Sequence, residues 1–532
     1  MFKSSSALAS FSIFKPPQGD RFEGARGIPA RNPAVPCAVG VANPSVSFWR
    51  SEAASRFVGC PTLPLSHTPS LQLIESTVRS TAGITRTAGI LLYPIRYNNC
   101  MRSRYGFWTV LIGVLLWGTT ALAQTPLDDY FQRPEPAYRW EKRDAKRVGN
   151  TTVYTLFMIS QTWQGIDWDH SVQIFYPDNP RFPHFAALLN TGGNPSAGNE
   201  ALGALLATQT GVPFVILYNI PKQPLFGGLT EDALIVYTWQ KFLQTNDPTW
   251  PLHFPMAKAV LKCMDTVQAF LRQEGKKVPQ QFMVTGASKR GWTAWLVGAS
   301  RDKRVAGIAP MVIDVLNLPA QVPHHLEFYK GVPSEEIGDY VAGGMLQQLN
   351  TPAGRKLVEL EDPYSYRERY TMPKLIINGT NDRYWAQDAL NLYWDGLPEP
   401  KWVLYVPNSG HGLEDRPRVY ATMSAFIRTL AQGKRLPTMR WELKETPEGL
   451  EITAFSTPPA KEARLWFTTS LNHDFRDSKW TWRPMERTPD GWRGFLARPR
   501  QGHAVGYAEL VFEQDGQTYT LTTQLRIIGA QP

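Results

Sequence analysis

Ser288 lies in the run Q-F-M-V-T-G-A-S-K-R-G-W, Gln281 to Trp292, where an apolar stretch (Phe282 to Val284) turns through Gly286-Ala287-Ser288 into a helical pattern from Trp292 to Ala299. Strand, tight turn and helix in that order suit a nucleophilic serine. Small neighbours allow a strained backbone, the Oγ stands clear of the sheet, and the helix N-terminus supplies N–H groups. The spacing departs from G-x-S-x-G: Arg290 stands at the second glycine's place and Gly291 follows one residue later. Taken alone, the run fits any serine in a glycine-rich turn between strand and helix.

A serine nucleophile needs a base to take its proton and a carboxylate to hold that base in one tautomer. Asp382, in I-N-G-T-N-D-R-Y-W from Ile377 to Trp385, follows a buried-type strand, and His411, in P-N-S-G-H-G from Pro407 to Gly412, follows the next. The order Ser, Asp, His is that of α/β-hydrolases, each residue ending its strand. Among nine histidines only His411 has this place together with small, flexible neighbours. Asp314, at the end of an earlier strand, is the alternative acid. The backbone N–H groups expected to receive an oxyanion are that of Lys289 and those of the Gly192-Gly193 loop. The Lys289 and Arg290 side chains favour an anionic substrate if they face the site, and are otherwise a solvated pair. No cluster has metal-ligand spacing and no phosphate loop is present, so neither metal nor cofactor is expected.

These residues need a scaffold, and the chain alternates strands and helices from Thr151 onward. Strands are predicted at Thr152–Ser160, Ser171–Tyr176, Phe185–Leu189, Pro213–Tyr218, Phe282–Val284, Val305–Ile313, Lys374–Ile377 and Lys401–Val406. Helices are predicted at Glu200–Thr208, Glu231–Leu243, Met256–Arg272 and Arg416–Leu430. The expectation is an α/β-hydrolase fold over residues 124–436: a mostly parallel sheet with helices on both faces. A long insert at about 315–370, holding His324, His325 and a helix-like stretch from Ser334 to Leu349, is read as a lid. Beyond Pro437 short alternating runs between turn residues predict an all-β sandwich of immunoglobulin or fibronectin type over 437–532. Its tryptophans 466, 480, 482 and 492 fit either a binding face or core packing.

The formal charge of +10 is concentrated at one end. Residues 1–123 carry 12 Lys+Arg against 4 Asp+Glu, leaving 44 against 42 in the remainder. A nearly neutral body argues against a nucleic-acid surface. Residues 101–123, with Arg102 and Arg104 before an apolar core that ends in Ala121-Leu122-Ala123, read as a signal peptide. Its core is too short to span a membrane, so no stable anchor is expected after cleavage. Residues 1–100, rich in Ser, Pro and Arg, read as a leader from a wrongly assigned start or a disordered segment. Secretion or a periplasmic location follows. After cleavage Cys263 is the one cysteine left, read as a packing residue.

From Leu127 onward the chain resembles the PhoPQ-activated pathogenicity-related protein family, secreted proteins similar to α/β-hydrolases. The resemblance rests on Leu127-Asp128-Asp129-Tyr130, Ser160-Gln161-Thr162-Trp163, Thr230 to Ile235, Gly286 to Thr293, Met372 to Trp385 and Ser409 to Gly412. Its Ser-Lys-Arg-Gly spacing is also similar to the G-x-S-R-x-G of glucuronoyl esterases. The resemblance implies Ser288, Asp382 and His411 as a triad cleaving an ester or peptide bond of a small-molecule, glycan-ester or peptide substrate. Arg290, Glu231, Trp385, His324 and His325 are the candidate substrate contacts. The alternative is a secreted binding or signalling protein on the same scaffold. The sequence leaves the oligomeric state open.

Overall fold

The computed structural model describes residues 124–531; the leader and signal segment expected at 1–123 lie outside them. The described residues begin with α1 (Pro126–Gln132), capped by Thr125, and a three-strand antiparallel run: β1 (Arg139–Val148), β2 (Thr151–Trp163) and β3 (Ile166–Pro177). β1 was not legible in the sequence. It is an exposed, charge-rich edge strand, with no buried residue and hence no apolar alternation to read. The parallel core follows: β4 (Phe185–Asn190), α2 (Ala197–Thr210), β5 (Phe214–Leu217), α3 (Glu231–Thr245), α4 (His253–Gln273), β6 (Gln281–Ala287), α5 (Lys289–Ala299) and β7 (Val305–Met311). After the insert come β8 (Lys374–Gly379), β9 (Lys401–Val406) and α10 (Arg416–Ala431).

The strands order as β1-β2-β3-β5-β4-β6-β7-β8-β9, with β5 to β9 mutually parallel and β3 antiparallel to β5. This is the α/β-hydrolase sheet with one added edge strand. Every residue of β4 and β8 is buried, as parallel strands covered on both faces require. Alternate residues serve opposite faces. Ala186 and Leu188 join the core beneath α3, α4 and α5, while Phe185, Ala187 and Leu189 join that beneath α2 and α10.

The insert carries α6 (Leu318–Phe328), α7 (Gly338–Ala342), α8 (Met345–Gln348) and α9 (Pro352–Glu361). The single helical stretch expected at Ser334–Leu349 is broken into a 3-10 turn and two short helices. Gly343 and Gly344 divide the two, and Gly344 takes a left-handed φ of 72°.

The C-terminal strands are β10 (Thr438–Thr446), β11 (Gly449–Thr457), β12 (Glu462–Ser470), β13 (Thr481–Pro484), β14 (Glu486–Arg487), β15 (Trp492–Ala497), β16 (His503–Gln514), β17 (Gln517–Thr522) and β18 (Arg526–Gly529). β10-β11-β15-β14 form one antiparallel sheet. The other, β17-β16-β12-β13 with β18 on β16, continues the central sheet: Thr522 pairs with Val403 of β9. The Thr522 Oγ1 donates to Val403 O at 3.2 Å and accepts Tyr405 N–H at 3.1 Å. Leu450, Ile452, Leu465 and Leu496, between the two sheets, belong to the same core cluster as Phe426 of α10. Residues Tyr519 to Ile527 are divided between two strands, because the long β16 pairs with β17 along Glu509–Gln514 and with β18 along His503–Gly506. Trp466 and Trp480 are buried, and Trp482 is exposed.

Candidate active site

Ser288 ends β6 and caps α5 with φ 59° and ψ −131°, a left-handed conformation that a non-glycine residue holds only under constraint. Three contacts impose it. Ser288 N–H donates to Met311 O at 2.9 Å, Trp292 N–H donates to Ser288 O at 3.0 Å, and Asn190, at the end of β4, donates its Nδ2 to Thr285 O and Arg290 O at 2.8 and 3.1 Å. The irregular spacing has a packing cause. A Cβ on Gly291 would stand 2.8 Å from Ile313 Cγ2 and 2.9 Å from Met311 O, so the close approach of α5 to β7 falls at this position.

Arg290, freed from that contact, points to the other side. Its Nη1 and Nη2 grip Glu231 at 2.7 Å each, and its Nε donates to Ile220 O at 2.5 Å. Lys289 Nζ lies 2.8 Å from Glu231 and 3.1 Å from Asp232. Burial acts to raise the Glu231 pKa, but Arg290 and Lys289 together outweigh it and hold the carboxyl well below its usual range. Arg290 and Glu231, read from the sequence as candidate substrate contacts, are therefore engaged with each other as an internal brace. The guanidinium also lies under Gly192, where a Cβ would come within 2.4 Å of Arg290 Nη2, so the brace sets the height of the Gly192-Gly193 loop. Among the described residues no acceptor takes the backbone N–H of Lys289, Gly192 or Gly193.

Asp382 follows β8 and His411 follows β9, and the structure brings them together. His411 Nδ1 lies 2.9 Å from Asp382 Oδ2 and 3.1 Å from Oδ1, and Tyr384 N–H donates to Oδ1 at 3.0 Å. A carboxylate acceptor fixes the proton on Nδ1 and leaves the Nε2 lone pair free. Asp382 is buried while His411 is about one quarter exposed. The Tyr384 ring lies on the imidazole with centroids 4.2 Å apart. Ser288 Oγ forms no hydrogen bond to His411 in this structure. The alternative acid, Asp314, is buried and accepts from Tyr393 Oη at 2.6 Å. Burial, against that hydrogen bond and with the Asp382 charge, pushes its pKa up to about 7.

Two features were invisible in the sequence. Asn381, beside Asp382, donates its Nδ2 to Ser478 O at 2.7 Å and to Arg476 O at 3.1 Å, and Asn408, three residues before His411, exchanges two hydrogen bonds with the Trp480 backbone, at 2.7 and 3.0 Å. The segment between β12 and β13 thus clamps both loops. Arg476 extends the clamp to Glu335 of the insert at 2.9 Å. The second is a sealed pair, His253 Nδ1 and Glu361 Oε2 at 2.5 Å, both fully buried; His253 stacks on Trp292 at 4.5 Å.

Beside Tyr384 opens a pocket of about 80 Å³ whose wall includes Trp239, Trp292, Tyr340, Trp385 and His325. Of the candidate substrate contacts, Trp385 and His325 are in that wall. His324 is bonded to Asp388 at 2.7 Å, which raises its pKa, and does not line the pocket. Cys263 is fully buried and its thiol pKa is pushed up by burial. Among the described residues no group of three or more His, Cys, Asp or Glu is arranged to hold a metal ion, and no helix is long and apolar enough to cross a membrane.

The chain is 34% identical over 354 residues to Autocrine proliferation repressor protein A of Dictyostelium discoideum, covering 63% of this chain and 71% of that one. Among solved structures, acetyl xylan esterase 1 from Thermoanaerobacterium sp. JW/SL YS485 is similar with a TM-score of 0.40 and 16% identity, over 56% of this chain and 93% of that one. A glucuronoyl esterase from Solibacter usitatus is similar with a TM-score of 0.37 and 13% identity, over 57% and 91%. The family profile described as PhoPQ-activated pathogenicity-related protein matches residues 127–476, about two thirds of the chain, and the protein belongs to that family.

Proposed function

We propose that this protein is an exported serine hydrolase that cleaves an ester or amide through Ser288, His411 and Asp382. The observation that carries the reading is the Asp382–His411 pair at the ends of neighbouring strands, with Ser288 held in a strained turn two strands away on the same sheet edge. Asp382 keeps the imidazole proton on Nδ1, so Nε2 accepts the Ser288 Oγ proton as Oγ attacks the carbonyl carbon. The contact from Oγ to Nε2 closes as substrate binds, since such bonds are often long in unliganded enzymes. His411 sits on a loop with glycines on both sides, which gives it the freedom to move. The carbonyl oxygen becomes an anion received by the Lys289 and Gly192-Gly193 N–H groups. The leaving group takes the proton back from Nε2, and water, deprotonated by the same nitrogen, releases the acyl group from Ser288. Residues 101–123 direct export, with secretion or the periplasm as the destination.

A second reading has one observation in its favour: the name of the Dictyostelium relative is that of a proliferation repressor. On that reading the scaffold signals by binding and its serine is idle. A fluorophosphonate probe separates the two. Wild type labels at Ser288, and Ser288→Ala and His411→Ala fold but do not label. Wild type that resists every acyl and phosphonyl probe would establish the signalling reading.

A further inference from the structure

The pocket beside His411 has a composition that narrows the substrate. Fifteen residues line it, and none is Lys, Arg, Asp or Glu. Five are aromatic: Trp239, Trp292, Tyr340, Tyr384 and Trp385. Gln321 and His325, its polar side chains besides the tyrosines and the indole N–H groups, are already engaged. Gln321 Nε2 donates to Leu316 O at 3.1 Å and Ala389 O at 3.0 Å. His325 Nε2 accepts Ser334 N–H at 3.0 Å, and burial, with the Arg476 charge, pushes its pKa down to about 4, so it is neutral at physiological pH. The Tyr340 hydroxyl is turned to Asp232 at 3.3 Å.

The walls are fixed before any ligand arrives. Trp292 donates its indole N–H to Glu361 O at 2.6 Å and is backed by His253, itself paired with Glu361. The cavity they leave, about 80 Å³, is lined by apolar and aromatic side chains, as small-molecule sites are. Tyr384, whose ring lies on the His411 imidazole, and Trp292, one helical turn beyond Ser288, both stand in the wall, so the cavity lies one side chain away from the reacting groups, which do not themselves line it.

We infer that this cavity receives a large, uncharged, apolar group on one side of the scissile bond, making the substrate an ester of an aliphatic or aryl moiety. The inference rests on the serine-hydrolase reading and specifies its substrate class. A uronate carboxylate here would lose its hydration without gaining a cation. A sugar can stack on indole rings, but its several hydroxyls also need partners, and with Gln321, His325 and Tyr340 turned to the protein's own groups the wall offers few beyond the unpartnered Trp239 and Trp385 indole N–H groups, which donate only. An acetyl group would touch few of the fifteen wall residues. Aliphatic and aryl carbons gain from every wall contact.

The test compares kcat/KM for 4-nitrophenyl esters from acetate to decanoate, and for acetates of alcohols from methanol to 1-naphthol, using residues 124–532. In at least one series the value rises with apolar size, by up to roughly four-fold per methylene until the cavity is full. Leu346, a half-buried wall residue, is replaced in Leu346→Trp, and Val322→Phe serves as a second filling variant. Filling lowers octanoate turnover at least ten-fold more than acetate turnover. Values that stay flat or fall in both series, in protein that a fluorophosphonate still labels, overturn the inference and leave the hydrolase reading intact. If nothing labels, the hydrolase reading falls, and tryptophan fluorescence of Ser288→Ala titrated with methyl octanoate decides the cavity. A saturable change that Leu346→Trp abolishes supports apolar occupancy; no change overturns it.

Discussion

Asn381 donates its side-chain N–H to Ser478 O across 2.7 Å, so the residue next to Asp382 is fastened to the C-terminal β-region as well as to the His411 loop, where its backbone N–H donates to Ser409 O at 2.9 Å. Asn408 fastens the His411 loop to Trp480 of the same segment. Each loop is thus positioned by chain about 70 to 100 residues further on. Asn381→Ala and Asn408→Ala should lower kcat by roughly 10²-fold with little change in KM, because a misplacement of about 1 Å in a reacting group costs about that much. Freed backbone carbonyls should also reduce stability by about 1–3 kcal/mol. Steady-state kinetics beside thermal melts check both. An unchanged kcat in a destabilised protein would make the clamp purely structural.

The brace behind Ser288 gives a different outcome. Glu231 pairs with Arg290 and shares Lys289 with Asp232, its own side chain only about one quarter exposed. Glu231→Gln leaves Arg290 without a counter-charge and should cost about 3 kcal/mol in chemical denaturation, discounted from the largest buried cases because solvent reaches the pair. Arg290→Met combined with Glu231→Gln should recover part of that loss, and the double-mutant cycle measures the coupling.

Asp314 and Asp382 are separable by activity and by pH. Asp382→Asn should lose about 10⁴ in kcat, since an amide neither holds the imidazole tautomer nor balances imidazolium. Asp314→Asn should stay active. Asp314 has a native pKa of about 7 against an ordinary value of 3.8. Between those values the native state keeps a proton that the unfolded chain has lost, so stability falls as pH rises through the window, by at most about 1.4 kcal/mol per unit, and levels off above it. Asp314→Asn removes that slope. Its stability relative to wild type should therefore be higher at pH 8 than at pH 5 in urea titrations.

Truncation addresses the joint between the two regions. Thr522 pairs with Val403, and Leu450, Leu465 and Leu496 share a core with α10. Residues 124–436 alone would expose the β9 edge and that core face, so they should aggregate or fail to melt cooperatively. Cooperative unfolding of the truncated protein, with a Tm near the full-length value, would show that the strands after Pro437 are a dispensable appendage.

The sequence by itself determined the order of the elements and the places of Ser288, Asp382 and His411. Buried parallel strands are continuous apolar runs, and each of these residues follows one directly. It did not disclose β1, whose charged edge has no alternation, nor the division of the insert, where glycines interrupt an otherwise helical pattern. Arg290 and Glu231 read as candidate substrate contacts because nothing local links residues 59 apart; only the fold sets one guanidinium against one carboxylate. The same holds for Asn381 and Asn408, which resemble ordinary turn asparagines until the segment between β12 and β13 arrives over them. Local pattern carries backbone conformation and burial, which depend on near neighbours. Pairing of polar side chains across long separations is decided by tertiary packing, because the partner that satisfies a buried hydrogen-bonding group is chosen by proximity in space.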